Sequence, residues 1–197
     1  AGIPYIFITT NGRTAFPEKM KRVIESGVDS IKFSLNAATR ERYHAVTGVD
    51  AFDQVVANIR STWELRGTRT HPKLYASTAV EADHDEEFRA VHALIGRYVD
   101  SHYRLRRYGP QEAARPGTRT LDSMLPCWSL FTEAHISYEG YLSACFCDHD
   151  PKFYMGDLNS LSLEEAWLSP KFVELREQHL EKRVAGSPCA DCIAYAH

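Results

Sequence analysis

Five cysteines carry the reactive chemistry of this chain, and all five lie in its last 71 residues. Cys189 and Cys192 form a C-x-x-C pair within "SPCADC"; Cys127, Cys145 and Cys147 precede them. Without a secretory pattern, such cysteines fit a reducing, cytoplasmic setting, where C-x-x-C is more often a metal or redox site than a structural disulfide. Redox pairs of the thioredoxin type sit at a strand-to-helix turn, whereas this pair sits in a terminal loop, which favours metal. Cys127 and Cys145 bracket a hairpin pattern, C-x12-G-x4-C, whose Gly140 permits a tight turn. Both thiols can then approach one point, and two following helices return the chain so that Cys189 and Cys192 complete a four-thiolate site. Four thiolates suit tetrahedral zinc or an iron–sulfur cluster, and the spacing does not separate the two.

The elements that must position these thiols follow from local patterns. "PYIFITTNGR" reads as a buried strand ending in an Asn-Gly turn. "PEKMKRVIESG" has helical spacing at Met20, Val23 and Ile24 with a glycine stop. "DSIKFSL" is a second strand, "NAATRERYHAV" a helix, and "AFDQVVANIRSTWELRG" a longer helix striped by Phe52, Val55, Val56 and Ile59. "KLYASTAV", "DEEFRAVHALIGR" and "YVDSHYRLRRY" continue as strand, helix, strand. This alternation predicts an α/β fold with parallel strands, a partial (β/α) TIM-like barrel, since four strands do not close an eight-stranded one. Residues 109–126, rich in Gly, Pro and Arg, read as a linker between an α/β portion over 1–108 and a small α+β domain over 127–197. In that domain "HISYEGYLSACFC" predicts a β-hairpin, Ser162 to Glu165 a capping box, and Ser169-Pro170 a helix start. Its expected core is Phe131, Ile136, Tyr138, Leu142, Phe153, Trp167, Phe172 and Leu175.

The totals bound the partners. The chain has 197 residues, 44% hydrophobic and 25% charged, with net charge −3. That balance gives no broad basic surface for nucleic acid or anionic lipid. No apolar run approaches the roughly 18 residues of a membrane span. Ala1 opens almost directly onto a strand, which reads as a fragment or processed chain.

The cysteine pattern, together with "MGDLNSLSLEEAWLSPKFVELR" and "PCADC", resembles the SPASM or twitch auxiliary-cluster region of radical S-adenosylmethionine (SAM) enzymes. "ITTNG" and "IKFSLNAATRERYHAVTGVDAFDQVVANIR" resemble the third and fourth strands of that superfamily's partial barrel, with the helices that follow. The C-x-x-x-C-x-x-C motif for the catalytic cluster does not occur in this sequence, nor does the Gly-Gly-Glu-Pro stretch that precedes "ITTNG" in the family. The resemblance therefore implies the later part of a longer enzyme, inactive toward SAM by itself. The longer enzyme would use SAM and a second [4Fe–4S] cluster, with a reducing partner such as flavodoxin or ferredoxin.

The resemblance also implies residue roles. Cys127, Cys145, Cys189 and Cys192 would ligate an auxiliary [4Fe–4S] cluster, with Cys147 a nearby free thiol and His149 a loop residue. Ser34 and Asn36, at the end of the second strand, would touch SAM; the plain alternative is helix capping. Thr10 and Asn11, at the carboxyl end of the first strand, are placed where parallel α/β folds bind ligands, or simply form a turn. Many relatives carry an Arg where Thr47 stands, before Gly48. Arg104 and Arg106, alternating on the last strand, are candidates to replace its contact with the SAM carboxylate. In sulfatase-activating relatives an Asp follows the second cysteine. Here that residue is Phe146, with Asp148 two further on, which argues against sulfatase maturation. The spacing also resembles a short-form dehydrogenase of an aminocyclitol alcohol. A longer auxiliary domain with two clusters would need its next cysteine one residue past His197. The implied chemistry is hydrogen abstraction by a 5′-deoxyadenosyl radical from an alcohol-type small molecule or a peptide. The auxiliary cluster would take an electron or orient the substrate. The competing reading from the residues alone is a zinc-stapled α/β binding module.

Overall fold

The computed structural model describes residues 2–80, 85–106, 124–146, 150–190 and 192. The chain divides into two compact units, Ala1–Tyr108 and Gly109–His197. Most of the expected linker, along with Cys147, Asp148 and His149, lies outside the described residues.

The first unit is a four-stranded parallel sheet in the order β1 (Phe7–Thr10), β2 (Ser30–Ser34), β3 (Lys73–Val80), β4 (Ser101–Arg106). The register aligns Thr9 with Lys32, Lys32 with Tyr75, and Ser34 with Ser77. The helices α1 (Pro17–Glu25), α2 (Arg40–Thr47), α3 (Phe52–Arg66) and α4 (Asp85–Ile95) connect them. Alternation along the strands separates two faces. Ile31, Phe33, Leu35, Leu74 and Ala76 are fully buried in one core with Val55, Ile59, Val91 and Ile95. Ser30, Lys32, Tyr75, Ser77 and Tyr103 occupy the other face. Proline starts α1, and Thr39 Oγ1 caps α2 by accepting from Arg42 N–H. At the end of the sheet where β3 begins, Asp100 accepts from both Arg66 Nη1 (2.5 Å) and Leu74 N–H (2.7 Å).

β1 differs from expectation. Tyr5, Ile6 and Phe7 are exposed, not buried, because β1 is an edge strand and, among the described residues of the first unit, the helices pack on the face opposite Tyr5 and Phe7.

The second unit is an antiparallel sheet of β5 (His135–Ile136), β6 (Tyr141–Ser143) and β7 (Tyr154–Asp157), with α5 (Ser129–Thr132), α6 (Leu163–Trp167) and α7 (Pro170–Leu180). The hairpin thus gains a third strand. Gly140 adopts φ +92, and Asn159 Nδ2 donates to the neighbouring Glu139 carbonyl to lock the turn. The capping box of Ser162 and Glu165 and the Ser169 cap both form. The core is Leu130, Leu142, Ala144, Phe153, Met155, Ala166, Phe172 and Leu175. Ile136 and Tyr138 are not part of it. β5 is a two-residue edge strand and Tyr138 stands at the tip of the turn, so both side chains face outward.

Candidate functional site

Helix α7 ties the thiols to the core of the second unit. Ser169 Oγ donates to the Met155 carbonyl and Lys171 Nζ to that of Tyr154, fastening α7 to β7. Arg176 lays its guanidinium against Phe172 and Trp167, 3.7 and 4.1 Å from the ring centroids, and donates to the Leu130 and Trp167 carbonyls. One turn later His179 is 1% exposed and its Nδ1 accepts the Cys127 N–H at 3.2 Å. A neutral ring that accepts on Nδ1 carries its proton on Nε2. Burial holds the ring below the usual histidine pKa, so the neutral form is favoured. Two further cysteine amides are also held by side chains: Ser143 Oγ accepts from Cys145 N–H, and Ser187 Oγ from Cys189 N–H.

Cys127, Cys145 and Cys189 pack against the core of this unit, and Cys189 and Cys192 pack against Leu125 and Val184. All four are half-buried thiols. Burial pushes the Cys189 thiol up to about 12, and the thiols of Cys192, Cys145 and Cys127 add to the shift. The four sulfurs therefore lie in one electrostatic neighbourhood where thiolates persist only if a cation compensates them. Among the described residues no three His, Cys, Asp or Glu side chains stand close enough to hold one metal ion. Tetrahedral zinc, with Zn–S about 2.3 Å, would set its sulfurs about 3.8 Å apart. A four-iron cluster, in which each thiolate takes its own iron, uses a wider ring of donors. His179 Nε2 and Arg176 Nη2 are buried without a hydrogen-bond partner. The donor set fits a thiolate-held iron–sulfur cluster.

The predicted SAM-side residues are brought to the carboxyl ends of β1 and β2, with unequal freedom. Thr10 Oγ1 accepts from Gly12 N–H and Asn11 Oδ1 from Arg13 N–H, so both side chains shape the turn. Asn58 Nδ2 seals it through the Gly12 carbonyl. Asn36 Oδ1 accepts from Ala79 N–H and braces the end of β3. Ser34 is half-buried, in register with Ser77 on the uncovered face. Thr47 Oγ1 donates to the Tyr43 carbonyl and accepts from Val49 N–H, closing α2. Arg104 borders the cavity on the uncovered face, but its Nε donates to Asp85 of α4 at 2.6 Å. Arg106 ends β4.

Sequence reasoning misses three features. Lys32 lies in a strand that reads as apolar, although Ser30, Lys32 and Ser34 alternate with Ile31, Phe33 and Leu35. Tyr75 and Tyr103, with rings 5.6 Å apart, face the same side. His179 carries a signal of its own kind, a histidine on the stripe of Phe172 and Leu175.

Residues 127–193 match the SPASM family, described as an iron–sulfur cluster-binding domain. A probable GTP 3′,8-cyclase of Metallosphaera sedula is 44% identical over 62 residues, 30% of this chain and 19% of that protein. One from Pyrococcus abyssi is 36% identical over 67 residues, 32% of this chain and 21% of that protein. The matches thus span about a fifth of these curated relatives. A solved structure, native anSMEcpe with bound AdoMet and Cp18Cys peptide, is similar at TM-score 0.61 and 12% identity. That likeness covers 89% of this chain and 60% of that one, and at this identity it concerns the fold. Native anSMEcpe with bound AdoMet gives TM-score 0.60 at 11% identity, over 89% and 60% of the two chains. Residues 127–193, with the four thiols, thus match an iron–sulfur cluster-binding domain of the SPASM family, and the parallel sheet before them shares its fold with the anSMEcpe structures.

Proposed function

We propose that Cys127, Cys145, Cys189 and Cys192 hold an auxiliary [4Fe–4S] cluster in an enzyme that abstracts hydrogen through a 5′-deoxyadenosyl radical. Its substrate would be an alcohol-type small molecule or a peptide. The observation that carries this reading is the convergence of the four thiols beside the second unit's core. When bound, such a cluster supplies an electron acceptor or an anchoring point for substrate, at a potential set by charge, hydrogen bonds to sulfur and solvent exposure. The chain's own residues do the positioning. His179 holds the Cys127 amide, Ser143 the Cys145 amide and Ser187 the Cys189 amide. Ser34 and Asn36, with Thr10 and Asn11 in the adjoining turn, are the proposed SAM-side residues. Arg104 or Arg106 would meet the SAM carboxylate, Arg104 only by exchanging its Asp85 partner. A flavodoxin or ferredoxin is the proposed electron donor for the whole enzyme. The peptide bound to the solved anSMEcpe structure supports the peptide branch of the substrate proposal.

The test is iron and sulfide incorporation after anaerobic reconstitution. Cys127→Ala, Cys145→Ala and Cys192→Ala should each lose most of the iron that wild type takes up, and Cys147→Ala should keep it. Equal loss from Cys147→Ala would overturn the ligand set.

A further inference from the structure

The uncovered face of the parallel sheet carries a cavity of about 480 Å³ lined by Tyr5, Phe7, Ser30, Lys32, Tyr75 and Tyr103, with Ser77, Arg104 and Leu105 at its border. Its volume is in the range of small-molecule sites. The lining holds two cations and no carboxylate. Arg104 is matched by Asp85. Lys32 is half-buried, its Nζ 5.3 Å from the centroid of the Phe7 ring, and among the described residues no carboxylate pairs with it. A ring face attracts an ammonium but leaves its charge and its three N–H donors unsatisfied. Lys32 therefore presents its ammonium donors to the cavity, and an oxyanion is the acceptor that pairs with such a group most strongly. Further donors surround it. Tyr75 is in register with Lys32, and Tyr103 with Ser77. Ser30 is fully buried and its Oγ accepts from Tyr5 Oη at 2.8 Å, so it fixes Tyr5 at the cavity wall.

We propose that Lys32, with Tyr75 and Tyr103, forms a subsite that takes the carboxylate or phosphate group of a small-molecule substrate. Lys32 is two residues before Ser34 on the same face of β2, about 7 Å along the strand. An anion held there directs the rest of the molecule toward the strand ends, where Ser34 and Asn36 stand. The assignment of the bound molecule as substrate rests on the function proposed above; the anion subsite itself does not, because it lies wholly in the first unit.

Calorimetric titration of the 197-residue chain with inorganic pyrophosphate, and separately with succinate, tests the subsite without any cluster. Wild type should bind one of the two saturably, pyrophosphate marking a phosphate-bearing substrate and succinate a carboxylate. Lys32→Met should weaken that binding about tenfold or more, as expected for a lost charge-assisted hydrogen bond, and Lys32→Arg should retain most of it. Unchanged circular dichroism would establish that Lys32→Met is folded. Saturable binding of neither probe to wild type, or equal binding by wild type and folded Lys32→Met, overturns the subsite. Failure of iron incorporation with anion binding intact would overturn only the function proposed above.

Discussion

Gly156 of β7 faces α6 so closely that a single added methyl group should be measurable at the cluster site. A Cβ built on Gly156 would lie 2.5 Å from Ala166 Cβ and 3.0 Å from Ala166 Cα. The closer contact is about 1 Å inside ordinary van der Waals range, and the Cα belongs to the backbone, so no rotamer relieves it. Gly156→Ala must push α6 off β7 or strain the strand, at about 1–3 kcal/mol. That lowers the folded-to-unfolded ratio by a factor of about 5 to 150. Ala166→Gly alone should cost about 1–2 kcal/mol, from helix propensity and a lost buried methyl. In the double variant the methyl group has merely changed sides. We expect it to recover about 1–2 kcal/mol relative to the sum of the singles. Urea unfolding followed by Trp128 and Trp167 fluorescence in a Trp63→Phe background reports the second unit, where both reporters lie. Iron uptake should fall in Gly156→Ala, because α6 leads through Ser169 into the helix that holds Cys127. A Gly156→Ala variant within about 0.5 kcal/mol of wild type, or a double variant equal to the sum of the singles, refutes the packing argument.

Other perturbations follow from the same geometry. Thr78 Oγ1 donates to the Leu35 carbonyl and so accepts from His102 Nε2–H; His102 Nδ1 then accepts from His92 Nδ1–H at 3.3 Å. Burial first and then His92 push His102 from 6.5 down to about 4, so its contribution to stability is complete above about pH 6.5 and declines as pH falls to about 4. Discounted for the ring's partial exposure, wild type should lose roughly 1–2 kcal/mol more than His102→Gln across that window in pH-dependent urea unfolding; parallel curves would contradict the lowered protonation of His102. Asp100→Ala strands the buried Arg66 guanidinium and should cost about 3 kcal/mol or more, read by thermal unfolding of the first unit. Removing metal from reconstituted protein should raise hydrogen exchange from about Ser160 onward, α7 included, while β2 and β3 keep their protection; equal protection in both states would mean that the thiol centre is not the staple of the small unit.

The parts that are legible in the sequence are those where one local rule dominates. The apolar run of β3, the stripe of α3, the Ser162–Glu165 box and the Ser169-Pro170 start each depend on neighbours in sequence, and each forms. The strand β7 is not legible, because "YMGD" is short and its glycine is there for Ala166, a partner ten residues away. Hydrophobicity alone places Tyr138 in the core, whereas the turn geometry around Gly140 holds it out at 97% exposure. Of the candidate site, the cysteine spacing carries the thiol neighbourhood. The use of Thr10, Asn11 and Asn36 side chains as turn and strand-end braces depends on contacts to backbone amides, which residue type alone does not specify. The proposed role of Lys32 requires knowing which face of the sheet the described helices of the first unit cover.

Cys127, Cys145, Cys189 and Cys192 are proposed to hold an iron–sulfur cluster. Anaerobic reconstitution of the wild-type chain with iron, sulfide and zinc all present, followed by metal and sulfide analysis and visible absorption, tests it most directly. The expected product is a brown protein with broad thiolate-to-iron absorption, four irons and four sulfides per cluster, and little zinc. A colourless protein with one tightly held zinc would contradict it and return the second unit to the reading of a metal-stapled binding module.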